Sequence, residues 1–257
     1  MKITAAVLNE INTDFEFKEI ELDEPKANEV RVKLVASGVC HTDAAVKDGT
    51  IPVPMPAILG HEGAGIVESV GSSVTGFEPG DHVILGFAFC GKCRFCRSGN
   101  PGACEKFGDL NMGGAMIDGT HRLHTENNED VSVFFGQSSF ATYTTVNENN
   151  LVKIPNDIDL RMVGSLGCGF MTGSGTVLNS LDPEEGSSLV VFGTGAVGLA
   201  GIMAGKIANA AHVIAVDIND DRLAIAKDLG ATDTINSMTE DVVEQILKIT
   251  GGFQRPC

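Results

Sequence analysis

Leu189-Val190-Val191-Phe192-Gly193-Thr194-Gly195-Ala196-Val197-Gly198-Leu199 is the stretch that decides the fold of this chain. Four apolar residues run into three glycines spaced G-x-G-x-x-G, and a further apolar run extends from Leu199 to Met203. The pattern predicts a buried strand, a tight turn and the start of a helix. The first glycine permits the turn, the second lets the backbone approach a pyrophosphate, and the third lets helix and strand pack closely. Free N–H groups and the positive dipole end of that helix would hold phosphates. With 31 glycines in the chain the spacing alone is a weak signal, so its context matters. Val213-Ile214-Ala215-Val216 reads as the next parallel strand and ends on Asp217, 19 positions past Gly198. An NAD site wants a carboxylate there for the ribose hydroxyls. The bland alternative is a βαβ unit with a glycine turn and no ligand.

At 257 residues the chain can bury one large or two ordinary cores. Its composition is globular, 43% hydrophobic and 20% charged. The formal net charge of −16 argues against nucleic acid and anionic membranes, since neither counterion release nor lipid attraction favours an acidic chain. Met1-Lys2-Ile3-Thr4 has neither the apolar core nor the cleavage pattern of a signal peptide. The longest uncharged run, residues 187–205, is glycine-rich and already explained as strand, turn and helix, not a membrane span. Seven cysteines without a secretion signal point to metal ligands or catalysis in a reducing, cytoplasmic compartment.

Upstream, the first third reads as β structure. Phe15 to Ile20 alternates in part, and Val30-Arg31-Val32-Lys33-Leu34 alternates cleanly. Gly38-Val39-Cys40-His41-Thr42-Asp43-Ala44-Ala45-Val46 predicts a strand end turning into a short helix. Pro52, Pro54 and Pro56 mark a loop before a glycine-rich strand over residues 59–71, a composition that suits close backbone approach. Another short strand is expected at residues 80–85. Cys90, Cys93, Cys96 and Cys104 then fall within fifteen residues. Four thiolates in one loop suit a closed tetrahedral zinc site, which supplies folding free energy to a segment without a core. An iron–sulfur cluster and redox cysteines are the rivals; the long last interval and the lack of a proline after Cys104 depart from the ferredoxin run.

Residues 109–130 read as an exposed polar excursion, and Ser139 to Val146 as a returning strand. After Pro155 strands give way to alternating helix and strand, so the division is placed between residues 1–155 and 156–257. Gly167-Cys168-Gly169 leads into a helix with Val177, Leu178 and Leu181 on its apolar face. A helix from Asp221 stops at Gly230. A short strand spans Thr232 to Ile235, and Ser237 with Glu240 reads as a capping box for the last helix.

These segments together resemble the zinc-containing medium-chain alcohol dehydrogenases over nearly the whole chain. Gly38-Val-Cys-His-Thr-Asp43, Gly60-His-Glu-Gly-Ala-Gly65, the four-cysteine loop, Gly167-Cys-Gly169 and the glycine turn with Asp217 carry the resemblance. Residues 134–143 look most like the aryl-alcohol (benzyl alcohol) branch. The resemblance implies a two-domain protein: a GroES-like β-rich catalytic domain with two zincs, then an α/β Rossmann domain. It makes Cys40, His61 and Cys168 the catalytic zinc ligands, with Cys90, Cys93, Cys96 and Cys104 around the structural zinc. Two thiolates, an imidazole and an open position are what a catalytic zinc needs. Asp43 would orient His61, Glu62 would lie beside the metal, and Thr42 would pass the alcohol proton outward. His41 would lie near the pyrophosphate. Gly193, Gly195, Gly198, Asp217, Arg222 and Thr172 would bind NAD, Asp217 disfavouring the 2′-phosphate of NADP.

Two departures follow. Ala45 stands where some members complete the proton relay with a histidine. The chain also stops after one mononucleotide half, so it is expected to be carboxyl-truncated and weakly active, lacking the nicotinamide half-site and the dimerisation strand; Cys257 reads as incidental. The expected activity is oxidation of primary, aryl alcohols to aldehydes with NAD in the cytoplasm, with homo-oligomers in the full-length family. Glutathione-dependent formaldehyde dehydrogenase and a catalytically silent zinc-binding fragment are the alternatives.

Overall fold

The computed structural model describes residues 1–252; Cys257 lies outside the described residues. Two compact units divide the chain, Met1–Cys168 and the residues from Gly169 onward. Ten strands build the first unit: β1 (Lys2–Leu8), β2 (Glu16–Leu22), β3 (Glu29–Ser37), β4 (Ala57–Ile58), β5 (Gly63–Val70), β6 (His82–Leu85), β7 (Leu123–His124), β8 (Asp130–Val133), β9 (Tyr143–Asn147) and β10 (Leu151–Ile154). Three short helices, α1 (His41–Lys47), α2 (Arg94–Arg97) and α3 (Phe107–Met112), sit in its connections.

Strands β1, β2, β7, β8 and β4 close into a barrel, and a second sheet runs β10-β6-β5-β3-β9. Alternation gives each strand one buried face. Ile3, Ala5 and Val7 of β1 meet Ile20 and Leu22 of β2 inside the barrel. Val30 and Val32 of β3 pack with Val67, Val83, Leu85 and Val146 in the second sheet.

Residues 109–130 are not the exposed excursion that their polarity suggests. Met116 and Leu123 join the barrel core, and Leu110, Asn111 and Arg122 are buried. Arg122 donates to both carboxylate oxygens of Glu29, from Nε at 2.9 Å and from Nη2 at 2.7 Å. Such a bidentate pair lets a charged residue sit inside, which a polarity reading cannot anticipate. Residues 156–168 belong to the first unit by packing. Leu160, on a short 3₁₀ turn, and Val163, between that turn and the next, join Ala64 and Ile84, so the compact division falls after Cys168 and not near Pro155.

In the second unit, α4 (Gly169–Gly175) continues into a π-helical turn, Thr176–Leu181. The wider turn re-aims the side chains, so Val177 is buried while Leu178 and Leu181 are exposed. Then come β11 (Ser188–Phe192), α5 (Ala196–Ile207), β12 (His212–Asp217), α6 (Asp220–Leu229), β13 (Asp233–Asn236) and α7 (Val242–Thr250). The strands form a parallel sheet in the order β11-β12-β13. One face of β12, Val213 and Ala215, packs with Ile202, Leu223 and Ala226. The other, Ile214 and Val216, packs with Ile235 and with Val242, Ile246 and Ile249. Covering on both faces is the habit of parallel sheets. The cap of α7 is Asp241, whose carboxylate accepts from Glu244 N at 3.0 Å. Glu240 is diverted from the expected capping box, because its carboxylate accepts from Asn236 N in the preceding turn. No helix among the described residues is long and apolar enough to cross a membrane.

Candidate active site

Cys40, His61 and Cys168 come from three distant parts of the first unit. Cys40 caps the N-terminus of α1. His61 lies between β4 and β5, and Cys168 ends the 3₁₀ turn Gly164–Gly167. Their ligand atoms lie within 4.8 Å of one another. His61 is 2% exposed, and its Nε2 is buried without a hydrogen-bond partner. An orphaned nitrogen facing two thiols is costly unless a cation completes the set. The donor set, two sulfurs and one imidazole, therefore fits a catalytic zinc.

The surroundings support that charge pattern. Asp43, 3% exposed, places Oδ1 3.2 Å from His61 Nδ1. Its oxygens also accept from Gly60 N and Cys40 N, each at 3.0 Å, so the carboxylate is fixed from both sides. Burial lowers the His61 pKa, but Asp43 and Cys168 outweigh it and raise it to about 10. Burial pushes the Cys168 thiol up, against the pull of His61. Burial also raises the Cys40 thiol, but hydrogen bonds from Thr42 and contact with His61 bring it below the ordinary range. Thr42 Oγ1 lies 3.5 Å from Cys40 Sγ. Glu62 is buried, and its Oε2 occupies the place of a side chain at Gly38, only 2.0 Å from where a Cβ would stand. His41 is exposed on the first turn of α1, and Ala45 is buried.

Aromatic rings cover the His61 side of this cluster. Phe135 stacks on His61 with centroids 4.6 Å apart, and Phe134 meets it edge-on at 5.4 Å. Phe107 touches Phe135, and Phe87 touches Phe107. Phe135 holds a left-handed φ of 52°, unusual for a bulky residue. Gln137, fully buried, ties this loop down: its Nε2 donates to His61 O and Gly86 O at 3.0 and 3.1 Å, and its Oε1 accepts from Gly63 N at 3.2 Å. No sequence spacing singles out Phe135 or Gln137, because each acts on His61, more than seventy residues away.

The four-cysteine loop gathers Cys90, Cys93, Cys96 and Cys104 with all sulfurs within 4.8 Å and none in a disulfide. Sγ of Cys96 lies 3.4 Å from that of Cys93 and 3.9 Å from that of Cys90. A tetrahedral zinc with ordinary Zn–S bonds sets sulfurs roughly 3.8 Å apart. Backbone N–H groups of Cys93 and Lys106 donate to Cys90 and Cys104 sulfurs at 3.3 and 3.4 Å, as suits thiolates.

The second unit carries the candidate nucleotide site. Gly193 adopts φ +85°, and a side chain at Gly198 would stand 1.8 Å from Gly193 O. Both positions thus need glycine. Gly195, the N-cap of α5, has open space where a side chain would be, which suits close approach of a phosphate. Asp217 ends β12 and is 7% exposed. Its Oδ2 accepts from Thr194 N at 2.6 Å and Thr194 Oγ1 at 2.7 Å; its Oδ1 accepts from Ile218 N and Asn219 N. The two Thr194 donors lead in holding its carboxyl down to about 2. Arg222 is exposed on α6 with no side-chain partner among the described residues, and Thr172 is exposed on α4. Neither is drawn to Asp217 by a contact. Thr194 escaped the sequence reading, which valued only the glycines of its motif.

Comparison with known proteins agrees with this architecture. Residues 26–156 match the alcohol dehydrogenase GroES-like domain and residues 196–255 the zinc-binding dehydrogenase domain. Geraniol dehydrogenase of Castellaniella defragrans is 41% identical over 250 residues, covering 96% of this chain and 67% of that protein. The alcohol dehydrogenase zinc-binding domain protein of Burkholderia ambifaria has a solved structure of TM-score 0.94 at 47% identity. Benzyl alcohol dehydrogenase of Acinetobacter calcoaceticus gives a TM-score of 0.91 at 47% identity. Both structures cover 98% of this chain, which spans 68% of each. The fold and the site define an oxidoreductase with a GroES-like domain and a Rossmann-type domain. The chain belongs to the zinc-binding alcohol dehydrogenase family.

Proposed function

We propose that this chain oxidises primary alcohols, aryl alcohols above all, to aldehydes, with hydride transfer to NAD. The observation that carries this reading is the buried His61, its Nε2 turned to Cys40 and Cys168 and its ring face covered by Phe135. A zinc held by these three residues supplies Lewis acidity toward an alcohol oxygen when bound. Asp43 accepts the Nδ1 proton of His61, so that a cation held by the cluster would take the place of the proton on Nε2. The Thr42 hydroxyl beside Cys40 takes the alcohol proton outward, and Ala45 offers no further relay. Glu62 lends negative charge beside Cys168. Phe107 and Phe135, both half-buried, offer ring surface suited to a planar substrate, with Phe134 buried behind them. The four-cysteine loop holds a second, structural zinc. Asp217 receives the adenosine ribose and repels a 2′-phosphate. The geraniol and benzyl alcohol relatives support a substrate of this kind.

The test is the rate of reduced-cofactor formation by the zinc-loaded chain with benzyl alcohol, ethanol and the glutathione–formaldehyde adduct, each with NAD and with NADP. Benzyl alcohol with NAD should be the fastest pair. Preference for the glutathione adduct would move the reading to a formaldehyde dehydrogenase. Two bound zincs without any turnover would leave a zinc-binding fragment.

A further inference from the structure

The two strand tips that face the candidate nucleotide site are joined by one side chain. β11 and β12 run in parallel as far as Phe192 opposite Val216, and Gly193 N extends the ladder by donating to Val216 O at 2.7 Å. Thr194 is the next residue, and it is 2% exposed. Its N–H and its hydroxyl both reach Asp217 Oδ2. The N–H would be available from any residue at this position. Only Thr or Ser adds the second donor.

We infer that Thr194 is a positioning residue for cofactor choice: its hydroxyl fixes the Asp217 carboxylate in the orientation that accepts the ribose hydroxyls of NAD and opposes the 2′-phosphate of NADP. This rests on the reading of Asp217 as the ribose partner. Four donors hold the two carboxylate oxygens, and three of them are backbone N–H groups. The three backbone donors do not depend on the side chain at position 194, whereas the hydroxyl does. Charge-assisted bonds of this kind are short and directional, and the 2.7 Å of the hydroxyl bond is the length expected of one. Discrimination between the two cofactors is a difference of affinities, so it depends on where the negative charge stands. Without the hydroxyl, Oδ2 keeps one donor where it had two, and a carboxylate held less firmly loses part of its fit to the ribose hydroxyls and part of its repulsion of the phosphate. Valine at this position keeps the shape of threonine but sets a methyl group against Oδ2, which cannot approach as closely as the hydroxyl does.

Calorimetric titration of NAD and of NADP into the full chain tests this in the wild type, T194V and T194S. T194V should bind NAD several-fold more weakly, up to about tenfold, because a carboxylate held less firmly in the free chain has to be ordered when the ribose binds. NADP binding should change less than about threefold, so the preference narrows. T194S should restore both affinities to within about twofold of wild type, because the donor returns. A merely structural role would lower the thermal midpoint without moving the ratio of the two affinities. An unchanged ratio in T194V, with the wild type discriminating, overturns the inference and spares the Asp217 reading. A wild type that binds the two cofactors equally, or binds neither, overturns the Asp217 reading and this inference with it.

Discussion

The two candidate sites are assembled in opposite ways. In the first unit, Cys40, His61 and Cys168 are separated by most of the unit's length, and they meet because a barrel and a second sheet bring three loops to one place. In the second unit, Gly193, Thr194, Gly195, Gly198 and Asp217 belong to one strand–helix–strand segment. The support differs too. Asp43, Gln137 and the phenylalanines lock the first site through long-range contacts, whereas the second relies on neighbouring strand tips. A site built from distant segments fails when the unit loses its packing. A site built locally survives distant damage and responds to changes at its own few residues.

The largest expected effect falls on the folding of the first unit, at its four-cysteine loop. Cys93→Ser removes one of four sulfurs from a loop that has little core of its own: none of the α2 residues is buried. A structural metal site contributes folding free energy directly, so the loss should be about 3 kcal/mol or more, together with one zinc. Chemical denaturation and metal analysis would check this. Retention of two zincs and unchanged stability would mean that the loop is held by something else.

A change at the other cluster should separate chemistry from folding. His61→Ala is expected to lower alcohol turnover by about a thousandfold or more, since it removes a ligand from the proposed Lewis-acid site. The cavity left beside Phe134 and Phe135 should cost about 2–3 kcal/mol. Steady-state rates and urea unfolding measured on the same preparation would decide. Equal activity in the variant would remove His61 from the mechanism.

The smallest effect sharpens the local character of the second site. The Asp217 carboxyl is held at about 2, below its ordinary 3.8. A folded pKa below the unfolded one contributes stability that is fully present above about pH 4 and is lost as pH falls through about 2. Asp217→Asn should therefore cost about 1 kcal/mol at neutral pH, allowing for solvent screening, and the gap should close toward pH 2. Unfolding curves at pH 7, 4 and 2.5 would show it. A gap that persists at the acid end would assign the stability to packing, not to the ionised carboxylate.

Much of the second unit was legible in the order of its residues. Strand, glycine turn, helix and the terminal Asp217 all follow from short-range pattern, and the stop at Gly230 matches its φ of +129°. The cap of α7 was misplaced because Glu240 is engaged by the turn at Asn236. In the first unit the alternating strands were legible, and so was the four-cysteine loop, whose ligands lie within fifteen residues. Burial of residues 109–130 was not, because Arg122 is satisfied by Glu29 from a strand 93 positions away.

What the sequence by itself determined was therefore local: the glycine turn, the acidic residue at the end of the next strand, and the sulfur-rich loop. Resemblance to a family singled out Cys40, His61 and Cys168, but no spacing among them encodes their meeting. Only the tertiary structure decided that meeting, the seat of Phe135 on His61, and the grip of Thr194 on Asp217. The physical reason is that periodicity and capping report what a residue does within about one turn or one strand. Contacts between distant segments arise from the joint burial of many side chains, and they leave no pattern in any one stretch.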